Sequence, residues 1–289
     1  MGQILFVVWR ESIEALLVIG ILHAWLNNGD ASARQGLLWL WLGVGAGLLA
    51  AISLGAMLVG LTEVLSSDAQ DYFQAAIMLL ACALIVQMVL WMRRHGRTFK
   101  YDIEMSLAEK KRNSNWFGIS LLAALACARE GSETVIFLYG LGFGRSGHID
   151  LIQWLGVLVG IALAFLTFYL VQLGGRIFAW RTFFRATEII LLFLSVGLFE
   201  ASIDKLIDKG VIPTGIDMIW DTSYILDDSG IVGSVVATLT GYRAHLALAN
   251  LLAYALFWLV VWVLLRRTQN RQFSCTQVAT YESTARSTH

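Results

Sequence analysis

Ionisable side chains are scarce in this chain, and the residues that usually build soluble catalytic or metal centres are scarcer still. Charged residues make up 15% of 289 positions, and there are three cysteines and five histidines. Cys82, Cys127 and Cys275 form no C-x-x-C pair, which excludes a zinc ribbon, and their odd number and placement offer no disulfide framework. His23, His148 and His245 are isolated, with no partner at metal-ligand spacing, so packing or interfacial roles are expected of them. No copper-binding or haem motif is visible. The single proline, Pro213, falls between apolar runs rather than inside one. The first apolar stretch has no basic leader and itself carries Arg10, Glu11 and Glu14, so a cleavable signal peptide is not expected.

What the chain has instead is apolar length. Hydrophobic residues make up 57% of it and its mean hydropathy is +0.67, too apolar for a soluble domain and typical of a polytopic membrane protein. A bilayer needs about 20 apolar residues per helix. Runs of that kind occur at 3–27, 36–60, 71–92, 116–142, 151–173, 186–203 and 245–265, which predicts an all-α fold of seven membrane-spanning helices.

Net charge is zero, yet its signs are segregated along the chain. Basic residues concentrate between the third and fourth runs, between the fifth and sixth, and in the tail. With Arg34 they number fifteen, against four on the opposite side: Arg145, Lys205, Lys209 and Arg243. The positive-inside bias therefore predicts a cytoplasmic C-terminus and an outer N-terminus. A balanced charge argues against nucleic acid as a partner; the lipid bilayer is the expected surrounding. Trp9, Trp39, Trp91, Trp154, Trp180 and Trp262 fall mainly near the ends of runs, as an interfacial belt requires.

Against this background one pattern stands out. Arg10-Glu11-Ser12-Ile13-Glu14 and Arg129-Glu130-Gly131-Ser132-Glu133 put charges inside two of the spans, 119 residues apart. Each charge at the centre of a spanning helix costs roughly 2.5 to 3.5 kcal/mol on insertion scales. The repetition divides the first six helices into two halves of three, and an odd number per half inverts the second relative to the first. Inverted repeats place a substrate site near the bilayer midplane, between the halves. The expected organisation is a permease domain over 1–266, with repeats at 1–92 and 116–203, an acidic outer loop at 204–244, a last helix at 245–265 and a tail at 267–289.

At helical spacing, Glu11 and Glu14 share a face, as do Glu130 and Glu133, while Arg10 reaches Glu14 and Arg129 reaches Glu133. One copy could be an ion pair that merely steadies a helix. Two copies, each with a carboxylate beyond what its arginine can pair, point to a cation pathway. Four carboxylates converging without histidine or thiolate form an oxygen-only set suited to a hard cation. Glu188 and Glu200, at the ends of the sixth helix, and Asp221, Asp227 and Asp228, in the acidic loop, are secondary candidates. A solvated or paired role competes with ligation at each. Met78, Met88 and Met92 read as packing residues.

The doubled R-E-x-x-E pattern in a seven-span chain resembles the high-affinity iron permease family. So do the basic loop after Trp91-Met92-Arg93, the Trp220-Asp221-Thr222-Ser223 stretch and Gly241-Tyr242 before the last span. Members usually read R-E-G-L-E in both copies; here every charged position is kept, Ser12 replaces the first glycine, and Gln74 stands where bacterial relatives tend to have an acid. The resemblance implies that Glu11, Glu14, Glu130 and Glu133 carry iron, with Arg10 and Arg129 holding the carboxylates. It also implies Fe(III) supplied by a partner ferroxidase or periplasmic oxidising system, and a multi-pass place in the bacterial inner membrane. Iron is then cargo, with no permanently bound cofactor and no enzymatic activity. Two alternatives remain at this point: an intramembrane carboxylate di-iron oxidoreductase, disfavoured because glutamate rather than histidine follows Glu11 and Glu130 by three, and a permease for another cation such as lead or manganese.

Overall fold

The computed structural model describes residues 2–27, 36–95, 116–143, 151–173, 180–213, 220–221, 245–246 and 248–287. These residues hold seven helices: α1 (Gly2–Asn27), α2 (Gly36–Val64), α3 (Ser67–His95), α4 (Trp116–Gly140), α5 (Leu151–Leu173), α6 (Trp180–Asp208) and α7 (Leu248–Ser287). The only sheet among them is a two-residue antiparallel pair, β1 (Trp220–Asp221) with β2 (His245–Leu246). Five helices contain stretches long and apolar enough to cross a membrane: Gly36–Val64, Ser67–Arg93, Leu151–Leu170, Arg185–Asp208 and Leu248–Arg267. The remaining two, α1 and α4, are 26 and 25 residues long, and each carries one charged pentapeptide. The chain is a multi-pass membrane protein.

Local chemistry sets the ends of several helices. The Gln70 side chain donates to the carbonyls of Thr62 and Leu65, at 2.7 and 3.1 Å, capping the end of α2 across the tight turn into α3. After α4 the chain turns at Gly142, whose φ of 85° is open to glycine, and the amides of Gly142 and Phe143 bond back to Tyr139 and Leu138. Gly210 closes α6 in the same way, with φ 71° and bonds to Ile207 and Leu206.

Two helices outrun the expected limits. α6 extends to Asp208, so Asp204 and Asp208 lie on a helix rather than in the acidic loop. α7 continues through the expected tail to Ser287, since Leu248–Ser287 contains neither glycine nor proline to stop it.

The described residues form two compact units. One comprises residues 1–81 and 102–189, the other 82–101 and 190–289. In the first, α2 packs along α4 and α1 along α5, with α1 also touching α4 and α2. Small residues make these approaches possible. A Cβ placed on Gly47 would lie 2.6 Å from Cβ of Cys127 and 2.7 Å from the Ala124 carbonyl; one on Gly160 would lie 2.9 Å from the Leu5 carbonyl and 3.1 Å from Cβ of Val8. Ala124 and Cys127 follow Leu5 and Val8 by the same 119 residues that separate the pentapeptides. The contact of α5 on α1 thus uses positions that correspond, at that offset, to those of α2 on α4.

Trp9, expected near a membrane interface, is half-buried on α1. Its indole donates to Thr167 Oγ1 on α5 at 3.1 Å, next to the first pentapeptide. In the second unit, α6 and α7 meet through Phe193 with Trp258 and Phe199 with Phe257, at centroid distances of 5.5 and 5.6 Å. Here Asn250, 5% exposed, donates to Asp204 Oδ1 at 2.5 Å. At the far end of the apolar part of α7, the Arg266 guanidinium lies 3.8 Å over the Trp262 ring.

Candidate metal centre

Each charged pentapeptide lies near the midpoint of its helix, which puts it as far as possible from either end. Within a helix the four-residue spacing sets one arginine against the last glutamate of its own motif. Arg10 Nη2 donates to Glu14 Oε1 at 2.5 Å, and Arg129 Nε donates to Glu133 Oε1 at 3.0 Å. Arg10 also donates through Nη1 to Glu11 Oε1 at 2.7 Å. The matching approach in the second motif, Arg129 Nε to Glu130 Oε1, is 4.0 Å, an ion pair without a hydrogen bond.

Contact between α1 and α4 joins the two motifs. Glu11, Glu14 and Glu130 each offer one carboxylate oxygen, and the three oxygens lie within 4.8 Å of one another. Glu133 stands outside this tightest set, yet its carboxylate is close enough to act electrostatically on both Glu11 and Glu14. Arg10, Glu11, Glu130 and Glu133 are buried. The hydroxyls nearby are already spent on their own helix: Ser132 donates to the Arg129 carbonyl and Thr134 to that of Glu130, each at 2.8 Å.

The arginines leave acceptor capacity over. Oε2 of Glu11, of Glu130 and of Glu133 is buried and has no hydrogen-bond partner. Buried oxygens of this kind are expensive unless something positive or a donor reaches them. The arrangement can therefore hold a cation through oxygen atoms drawn from two helices.

Glu188 is half-buried on α6 in the first unit, and Glu200 is buried on the same helix in the second. The side chain of Asp221 lies outside the described residues, as do Asp227, Asp228 and His148 altogether; for His245 only the backbone is described. His23 is exposed and packs against the edge of Trp41 at 6.4 Å. Gln74, Met78 and Met88 are buried, the methionines in packing positions as expected. Two features went unread in the sequence: the partnership of Asn250 with Asp204, signalled only by an amide in an apolar run, and the unequal settings of Arg10 and Arg129, which carry no sequence signal.

The profile described as the iron permease FTR1 family matches residues 1–268. The chain belongs to that family. Among similar proteins is one named ferrous iron permease EfeU from Escherichia coli O6:H1, 25% identical over 241 residues, covering 82% of this chain and 85% of the relative. Another of the same name, from Yersinia pestis, is 24% identical over 258 residues and covers 87% and 88%. No solved structure matches. The FTR1 family and these relatives are permeases rather than enzymes, which sets aside the di-iron oxidoreductase alternative and leaves iron transport as the family's business.

Proposed function

We propose that this permease moves iron into the cell through one midplane site formed by Glu11, Glu14, Glu130 and Glu133, with Arg10 and Arg129 as its counter-charges. The observation that carries this reading is the convergence of three carboxylate oxygens from α1 and α4 within 4.8 Å, beside buried oxygens without partners. Four ionised carboxylates and two guanidinium groups sum to two negative charges, which a di- or trivalent cation offsets. Iron is the cargo, and no resident cofactor is invoked.

In this reading all seven helices span, since function rather than apolarity justifies the charges of α1 and α4. The N-terminus lies outside and the basic C-terminal end in the cytoplasm. Iron gathers at the acidic 204–244 segment, where negative charge raises local cation concentration, and leaves on the basic inner side, which does not retain it. The organisation is that of repeats at 1–92 and 116–203 in a bacterial inner membrane. An oxygen-only site attracts the trivalent ion more strongly, which favours Fe(III) delivered by a partner ferroxidase; the relatives carry ferrous iron in their names, so both ions belong in the test.

Labelled-iron uptake into proteoliposomes, with Fe(II) and Fe(III) supplied separately, tests this. Glu14→Gln and Glu133→Gln are each expected to abolish most uptake while the protein stays monodisperse. Native uptake by both variants sinks the shared site. Manganese or lead that displaces iron at equal concentration makes the chain a broader cation permease.

A further inference from the structure

Related by the repeat, the two motifs are nonetheless set differently. The Arg10 side chain is 3% exposed and bridges both glutamates of its own motif, at 2.7 and 2.5 Å. Arg129 is 46% exposed, is hydrogen-bonded to Glu133 through Nε at 3.0 Å, and stands 4.0 Å from Glu130. Moving Arg10 would break its bonds to both glutamates of its motif in the interior; moving Arg129 would break its bond to Glu133 at an exposed position.

A guanidinium facing acyl chains at mid-depth is costly. The exposed Arg129 side chain therefore calls for water rather than acyl chains at its side. Water at that side would also admit a hydrated ion. Oε2 of Glu130 and of Glu133, buried and without a hydrogen-bond partner, belongs to the same two carboxylates whose Oε1 atoms stand 4.0 and 3.0 Å from Arg129 Nε.

Resting on the site proposed above, we infer that Arg129 is the exchangeable counter-ion of the transport site: it neutralises Glu133 in the empty protein and yields to the arriving iron ion, while Arg10 stays bonded to Glu11 and Glu14 throughout. Arg129 competes with iron for the second motif. Its return helps to expel the ion, and the two arginines, alike in sequence, divide the tasks of release and permanent support.

The test is iron binding to the full chain in detergent, by titration with Fe(II) under reducing conditions and with chelate-buffered Fe(III), alongside uptake kinetics in vesicles. Arg129→Gln is expected to bind iron about tenfold more tightly, the order expected for removing one like charge at close range from a partly solvated site. Its turnover falls because release slows. Millimolar guanidinium chloride restores native affinity to that variant, since the free cation takes the vacated place. Arg129→Lys, a point charge that cannot reproduce the planar fork, falls between the two. Weaker or unchanged iron affinity in both Arg129 variants, with no response to guanidinium, overturns the exchange role. Glu130→Gln and Glu133→Gln separate the two levels: if they bind iron as the native chain does, the shared site itself fails, and if they lose it while the Arg129 variants also weaken, only the exchange role fails.

Discussion

Gly47 of α2 faces Cys127 of α4 so closely that a Cβ on the glycine would sit 2.6 Å from Cβ of the cysteine. The neighbouring atoms include the backbone of Ala124 and Ala128, which cannot step aside, and Gly160 meets Leu5 and Val8 in the corresponding way on α1. Gly47→Val and Gly160→Val should therefore each destabilise the first unit by about 1 to 3 kcal/mol, the usual cost of overpacking. Melting in detergent checks this, with Gly45→Val as control, because a Cβ at Gly45 meets nothing within 4 Å. Equal melting of Gly47→Val and Gly45→Val would mean that α2 and α4 do not depend on that close approach.

The helices were largely legible because apolar length is itself the signal in a membrane protein. Gly36, Trp116, Leu151 and Leu173 are observed boundaries that coincide with the expected ones. The ends of α6 and α7 were not legible: Asp204 and Arg267 are polar, and polarity marks where a membrane ends, not where a helix does. At the site, spacing within a helix foretold Arg10 against Glu14 and Arg129 against Glu133. It could not foretell which arginine would be buried, since that depends on neighbouring helices. Trp9 shows the same limit, for its partner Thr167 lies 158 residues away.

The unequal burial of the arginines leads to a stability difference. Arg10→Gln leaves the buried Glu11 and the part-buried Glu14 without the charge that bridges them, and breaking a buried pair in this way costs about 3 to 5 kcal/mol. Arg129→Gln, at a half-exposed pair, should cost no more than about 1 kcal/mol. Expression yield and melting temperature of the two variants in the same detergent decide the matter, and comparable losses would contradict the asymmetry.

In the second unit, Asn250 holds Asp204 across α6 and α7 from a buried position. Replacing it by leucine removes the donor and leaves the carboxylate short of a partner, at a cost of about 1 to 3 kcal/mol. Replacing Asn250 and Asp204 together with leucine should recover part of that loss, because apolar pairs need no donor. A double variant that melts lower than Asn250→Leu alone would show that Asp204 is held chiefly by other groups.

Acid should oppose iron at the site for a stoichiometric reason. Carboxylates ligate only when deprotonated, so each ion that binds excludes protons from Glu11, Glu14, Glu130 and Glu133. Protonation and ligation compete for the same oxygens, so the sign is fixed: apparent affinity rises with pH and falls as the binding side is acidified. Two measurements bear on it. Uptake into vesicles at fixed free iron should decline as the outer pH is lowered, and titration of the purified protein with iron in a weakly buffered solution should acidify it. In Glu14→Gln any iron that still binds the purified protein should release fewer protons per ion, because one competing carboxylate is gone. Iron binding that neither releases protons nor weakens in acid would mean that the ion is held by groups other than these glutamates.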